Sequence, residues 1–131
     1  MDDLLNTFVE VNVVQEFQTL SVTFLGFVPT KDFIPILEYE YALIEHYRLQ
    51  KCFIDLRLIP VYGKGSTEYV KDVWFPKVTT LGVRYVAFVV PEAVVGQMSM
   101  RSAHTNVGTE AAMTVEHFSD PDKARTWLQS C

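Results

Sequence analysis

Residues 51–67, KCFIDLRLIPVYGKGST, constrain the fold of this chain more than any other stretch. They read as a buried strand, a sharp loop and the first turn of a helix. In an extended chain Phe53, Asp55, Arg57 and Ile59 share one face, and Cys52, Ile54, Leu56 and Leu58 share the other. Six of those eight side chains are apolar. A strand that is apolar on both faces belongs in the middle of a sheet covered on both sides, or in a dimer. Pro60 ends it, and Ser66 or Thr67 caps the helix that follows, with Glu68 in its first turn.

The flanking segments fit around this unit. Residues 8–14 (FVEVNVV) alternate, with Val9, Val11 and Val13 on one side and Phe8, Glu10 and Asn12 on the other. Residues 20–25 (LSVTFL) alternate again, and the short connection between them implies an antiparallel hairpin. A helix is expected from about Asp32 to Leu49, with Asp32 as N-cap and Pro35 in the first turn. Phe33, Leu37, Tyr41 and Ile44 form its buried stripe, widened by Ile36, Leu43 and Tyr47.

After Ser66, the apolar residues Val70, Val73, Trp74, Val78 and Leu81 continue past Pro76, which predicts a kink there and a stop at Gly82. Residues 83–90 (VRYVAFVV) form a second central strand. A weaker helix spans residues 92–104, with Val94, Val95 and Met98 inward. Residues 105–108 are loop, and residues 110–118 are an edge strand of mixed polarity. A last helix begins at Ser119 or Asp120 with Pro121 in its first position, packing through Ala124, Trp127 and Leu128. The order β-β-α-β-α-β-α-β-α implies one α/β domain over residues 1–131: four helices and a mixed, mainly parallel sheet of about five strands.

Composition narrows the partners. The 131 residues carry a net charge of −5 and no run of Lys or Arg, so neither nucleic acid nor an anionic membrane is expected as the main partner. No apolar run approaches the ~18 residues of a membrane span, and Met1-Asp2-Asp3 is acidic where a signal peptide would be basic. Cys52 and Cys131 make no metal or disulfide pattern, which fits a reducing cytoplasm. Cys52 reads as a small apolar filler.

Three stretches carry candidate chemistry. Gly63, Lys64, Gly65, Ser66 and Thr67 resemble a fragment of a phosphate loop. Leu58 stands where the first glycine of a nucleotide loop is needed, so ATP is excluded. What remains is a single-anion contact at a helix start, set against a flexible loop with a cap. Asp55 and Arg57 are the only charges in residues 52–59. They are either a polar ligand or partner site at the C-terminal end of the strand, or a structural pair. Met98, Met100, Arg101, Ser102, His104 and Thr105 suggest an adaptable contact surface or a plain amphipathic helix. Ser102 and His104 are two apart on a helix and face different ways, so no catalytic pair is assigned. His46 and His117 have no ligand cluster beside them, and no metal or cofactor site is expected.

The segments FIDLR (53–57), WFPKVTTLGVRYVAFVVP (74–91), FSDPDKARTWL (118–128) and FVPTKDF (27–33) together resemble the SpoIIAA-like superfamily. Its members include STAS domains, found in sulfate transporters and anti-sigma-factor antagonists, and lipid-binding CRAL-TRIO domains. The chain is most similar to small, stand-alone bacterial members. The resemblance implies a non-enzymatic, cytoplasmic regulatory domain that binds another protein, with a phosphorylated Ser just after the strand at 52–59. Ser66 and Thr67 are the nearest counterparts, in a Gly-Lys-Gly-Ser-Thr setting rather than the family's Asp-Ser-Ser-Gly. The other branch of the fold implies a small apolar ligand or lipid, and the two-sided apolar strands are compatible with a homodimer.

Overall fold

Strand β3 (Lys51–Asp55) is buried at every position, and the sheet is built outward from it in both directions. The computed structural model describes residues 7–104 and 113–131. The sheet has five strands in the order β1-β2-β3-β4-β5. Strand β1 (Val9–Val14) pairs antiparallel with β2 (Thr19–Phe24). From there β3, β4 (Tyr85–Val89) and β5 (Thr114–Phe118) add in parallel. The expected α/β class and the N-terminal hairpin are therefore present. A 3-10 turn, Gln15–Phe17, closes the hairpin, with Gln18 in the left-handed region at φ 52°.

Helix α1 (Thr30–Tyr47) joins β2 to β3. A helix over residues 66–80, α2, joins β3 to β4, α3 (Val94–Ala103) joins β4 to β5, and α4 (Pro121–Ser130) closes the chain. Three helices share one side of the sheet, because Ile36 and Ile44, Trp74 and Val78, and Met100 and Ala103 form one cluster with Leu20, Val22, Cys52, Ile54, Val86 and Phe88. Among the described residues the opposite face is covered by α4, through Ala124 and Leu128 against Phe53, Ala87 and Val89. On that side the β1 residues Glu10, Asn12 and Val14 remain exposed or only partly covered.

Several boundaries differ from the sequence reading, each for a local reason. Helix α1 starts at Thr30 with Pro29 as N-cap, not at Asp32: the Asp32 and Phe33 N–H groups both already bond the Pro29 carbonyl at 2.9 Å. Pro35 therefore lies inside the helix. The carbonyl it leaves without a helical partner belongs to Lys31, which is exposed and open to water. Strand β3 ends at Asp55 rather than Ile59, because the Asp55 carboxylate captures the Arg57 N–H at 3.0 Å and turns the chain. Leu58 is consequently exposed.

The kink expected at Pro76 is a π stretch. Residues Val70–Trp74 are π-helical between α-helical Ser66–Tyr69 and Phe75–Thr80, and the Phe75 N–H reaches back to Val70 O. The wider turn relieves the helix just where proline withholds an N–H. At the far end Gly82 sits at φ 104°. Val83 N–H bonds Val78 O at 3.0 Å, and Gly82 N–H bonds Thr79 O at 3.1 Å, the paired bonds of a glycine C-cap.

Helix α3 begins at Val94 and is turned opposite to expectation. Val94, Val95 and Met98 face outward, while Gly96, Met100 and Ala103 are buried. Gly96 decides this. A Cβ there would lie 2.6 Å from Ile59 O and 2.9 Å from Pro91 Cβ, so only glycine allows α3 to pack on the loop after β3. Val73 is likewise exposed rather than part of the α2 stripe. The expected strand start at residues 110–112 and the loop at 105–108 lie outside the described residues.

The Gly96 contact is directly testable. Gly96→Ala must move backbone on both sides of the contact, and an overpacked site of this kind costs about 1–3 kcal/mol. We expect a clear drop in unfolding midpoint by urea titration. A midpoint equal to wild type would show that α3 does not approach residues 59–60 this closely.

Candidate functional site

The residues singled out from the sequence occupy two separate corners. Asp55 lies on the α4 side of the sheet and binds Arg57 through both oxygens. Arg57 Nε reaches Oδ1 and Oδ2 at 3.1 Å each, Nη2 reaches Oδ2 at 2.8 Å, and the Arg57 N–H completes the set. The carboxylate is buried while the guanidinium keeps a partly exposed edge. This bidentate pair holds the turn after β3 in one shape.

Gly63, Lys64, Gly65, Ser66 and Thr67 form the other corner, where α2 starts beside α1. A Cβ on Gly63 would lie 2.7 Å from Thr30 Oγ1, and Gly65 is at φ 85°, so both glycines are needed for the approach. Thr30 gives its hydroxyl proton to Lys64 O, so Ser66 is the donor in the 2.8 Å contact between Ser66 Oγ and Thr30 Oγ1. Ser66 is only 1% exposed, and its N–H is bonded to Gly63 O. Lys64 and Gly65 are exposed and Thr67 half-buried.

The most unusual chemistry was not singled out from the sequence. Glu40 is fully buried in the core between the three helices and the sheet. Its Oε1 accepts a hydrogen bond from Trp74 Nε1 at 3.1 Å, while Oε2 has no protein partner. Burial pushes the Glu40 carboxyl up from 4.5 to about 8, although the Trp74 bond opposes the shift. The same carboxyl helps to raise the Cys52 thiol, which burial already pushes up. A signal for Glu40 existed: it is seven residues after Phe33 and four before Ile44, in the middle of the apolar stripe of α1.

Glu40 lines a small interior cavity of about 20 Å³, walled by Phe24, Phe33, Leu37, Ile54, Trp74 and Phe88 among others. His104, at the end of α3, lines it too. His104 Nδ1 lies 2.8 Å from Nε2 of His117 on β5, and His104 Nε2 is buried without a protein partner. Phe88 contacts both rings, stacked on His117 with centroids 5.4 Å apart. Burial, then the neighbouring His117, lowers His104 from 6.5 to about 3. Burial also lowers His117, against a weaker opposing pull from Glu116. The sheet register sets this pair, since His117 lies beside Phe88 across β4 and β5. A second cavity, of about 360 Å³, is lined by Val90, Gln97, Met100, Arg101, His104 and His117 at the C-terminal ends of these strands.

Around the same end of the sheet lies an apolar surface. Val94 is 70% exposed, Met98 61%, Val95 59% and Leu58 54%. The Gly96 contact sets the first turn of α3 beside the loop carrying Leu58. Among the described residues no group of three or more His, Cys, Asp or Glu could hold a metal, and no helix is long and apolar enough to cross a membrane. No family model, curated protein or solved structure matches the chain.

The buried groups give the folded state a defined pH profile. Between about 3 and 6.5 only the unfolded chain protonates His104, so stability rises with pH. Between 4.5 and about 8 only the folded chain keeps the Glu40 proton, so stability falls with pH. The two slopes oppose one another from 4.5 to 6.5. Urea unfolding across this range should show a broad maximum there and a decline toward pH 8. Glu40→Gln should remove the decline above pH 6.5; a parallel decline in that variant would refute the assignment to Glu40.

Proposed function

We propose that this chain is a regulatory protein-interaction domain of the SpoIIAA-like kind, acting by binding rather than by catalysis. The observation that carries the reading is the exposed apolar surface of Leu58, Val94, Val95 and Met98 at the C-terminal end of the sheet. An apolar centre with a charged rim is how protein partners are held, and methionine adapts to their shape. Arg57 and Glu92 supply charge beside it: the Glu92 N–H bonds Arg57 O, and the two side chains attract each other. The landmark segments 53–57, 74–91 and 118–128 support the family part of the reading. Ser102 is exposed and His104 Nδ1 lies beside His117, an arrangement that supports binding over a nucleophile–base pair.

In the phospho-switched form of this reading, a phosphate on Ser66 would break the Thr30–Ser66 bond that ties α1 to α2. The buried position of Ser66 makes the modification depend on opening of that corner. A second reading, a small ligand with an apolar body and a polar end, is supported by the cavity of about 360 Å³. Val90 and Met100 would contact the body, and Arg101 and His117 the polar end. Native mass spectrometry of the purified protein would show a retained mass in that case.

The leading reading predicts selective loss of partners from a surface change. Val94→Asp with Met98→Asp alters exposed side chains and should leave the thermal midpoint unchanged. Affinity purification from the source cells, quantified against wild type, should lose a defined protein by about tenfold or more, as expected when charges enter an apolar contact. Equal recovery of every bound protein by the folded double variant would overturn the assignment of this surface. Size-exclusion chromatography with mass detection would show whether a second copy covers it instead.

A further inference from the structure

We propose that the small interior cavity binds one water molecule between Glu40 Oε2 and His104 Nε2, completing a one-way chain of hydrogen bonds from Trp74 to the surface His117. Two independent observations meet there. Glu40 Oε2 and His104 Nε2 are the two buried side-chain polar atoms without a protein partner among the described residues, and both residues line one cavity. A lone unpartnered polar atom in a core is costly, and two of them on residues that line one space call for a bridging group. The space of about 20 Å³ holds one water and excludes anything much larger.

The donors and acceptors then fall into a single order. Trp74 Nε1–H donates to Glu40 Oε1; with the carboxyl neutral, Oε1 is its carbonyl oxygen and Oε2 carries the proton. The Oε2–H donates to the water. The water donates to the lone pair of His104 Nε2, which leaves the His104 proton on Nδ1. That proton is donated to His117 Nε2, 2.8 Å away. His117 then carries its own proton on Nδ1, at the exposed end of the chain. Apolar walls keep the acid neutral: Phe24, Phe33, Leu37, Ile54 and Phe88 surround it. The titratable groups near it are Cys52 of β3, Tyr41 of α1, Tyr62 of the loop and His104 of α3, none of them a cation at neutral pH.

The chain assigns a chemical state to each ring, and this can be read directly. Long-range proton–nitrogen NMR of wild-type protein at neutral pH should find both His104 and His117 protonated on Nδ1, by at least about tenfold over the other tautomer, since reversing one ring would leave a buried group unpaired. His104 protonated on Nε2 would overturn the proposal. A crystal structure at about 1.5 Å should show one water within about 3.2 Å of both Oε2 and Nε2. An empty cavity, or direct contact between Glu40 and His104, would overturn it as well. In Glu40→Leu the water should be lost and the His104 preference for Nδ1–H should weaken; an unchanged tautomer ratio in that folded variant would count against the chain. Should the variant not fold, the wild-type tautomers decide the matter alone.

Discussion

Burial of β3 on both faces is the constraint on which the rest of the structure depends. Its five residues include Lys51 and Asp55, so the central strand carries a charge at each end of an apolar middle. Neither can stay in the core alone. Asp55 is matched by Arg57, only two residues away, and that match turns the chain out of the sheet. Lys51 is matched from far off. Its Nζ donates to Leu128 O at 2.7 Å and to Cys131 O at 3.0 Å, at the end of α4. A cation at a helix C-terminus is favoured, and here it also pins the helix that covers the second face. The two charges thus settle where the strand ends and where the last helix docks.

The other face is closed differently. Three helices cover it, and the layer includes a carboxylic acid and an imidazole among large aromatic residues. Such groups are tolerated in a core only when their hydrogen bonds are completed. Trp74 completes one side of Glu40, and the π stretch of α2 includes Trp74 itself. The irregular turn and the proline two residues later are therefore neighbours along α2, and the buried acid of α1 meets them through Trp74. The same layer ends in the His104–His117 contact, which sits where α3 and β5 meet near the C-terminal edge of the sheet. Core polarity and the outer cavity share His104, so a change in one is felt in the other.

Several local signals were legible in the chain. Gly82 ends α2 because the left-handed C-cap suits glycine. Asp120 caps α4 through the Asp122 N–H at 2.9 Å, with Pro121 in the first turn, as the residue order implied. The alternation in residues 9–14 and 20–25 marked the two hairpin strands, while the pairing of Val9 with Phe24, Val11 with Val22 and Val13 with Leu20 came from the structure. The misreadings have two origins, one distant and one local. The outward turn of Val94, Val95 and Met98 follows from Gly96 meeting a carbonyl almost forty residues earlier. The early end of β3 follows from a side chain competing for a backbone N–H.

What the amino-acid order by itself determined is the succession of elements, the helix ends at Gly82 and Asp120 and the two-sided apolar strands, because propensity, period and turn chemistry act within a few residues. What only the tertiary structure decided is which polar groups meet. Glu40 joins Trp74, Lys51 joins the end of α4, Thr30 joins Ser66, and His104 joins His117 across distances in sequence from 13 to 80 residues. Those encounters depend on helices crossing a sheet in a given register. A periodic pattern can say that a residue faces inward, but not what it will find there.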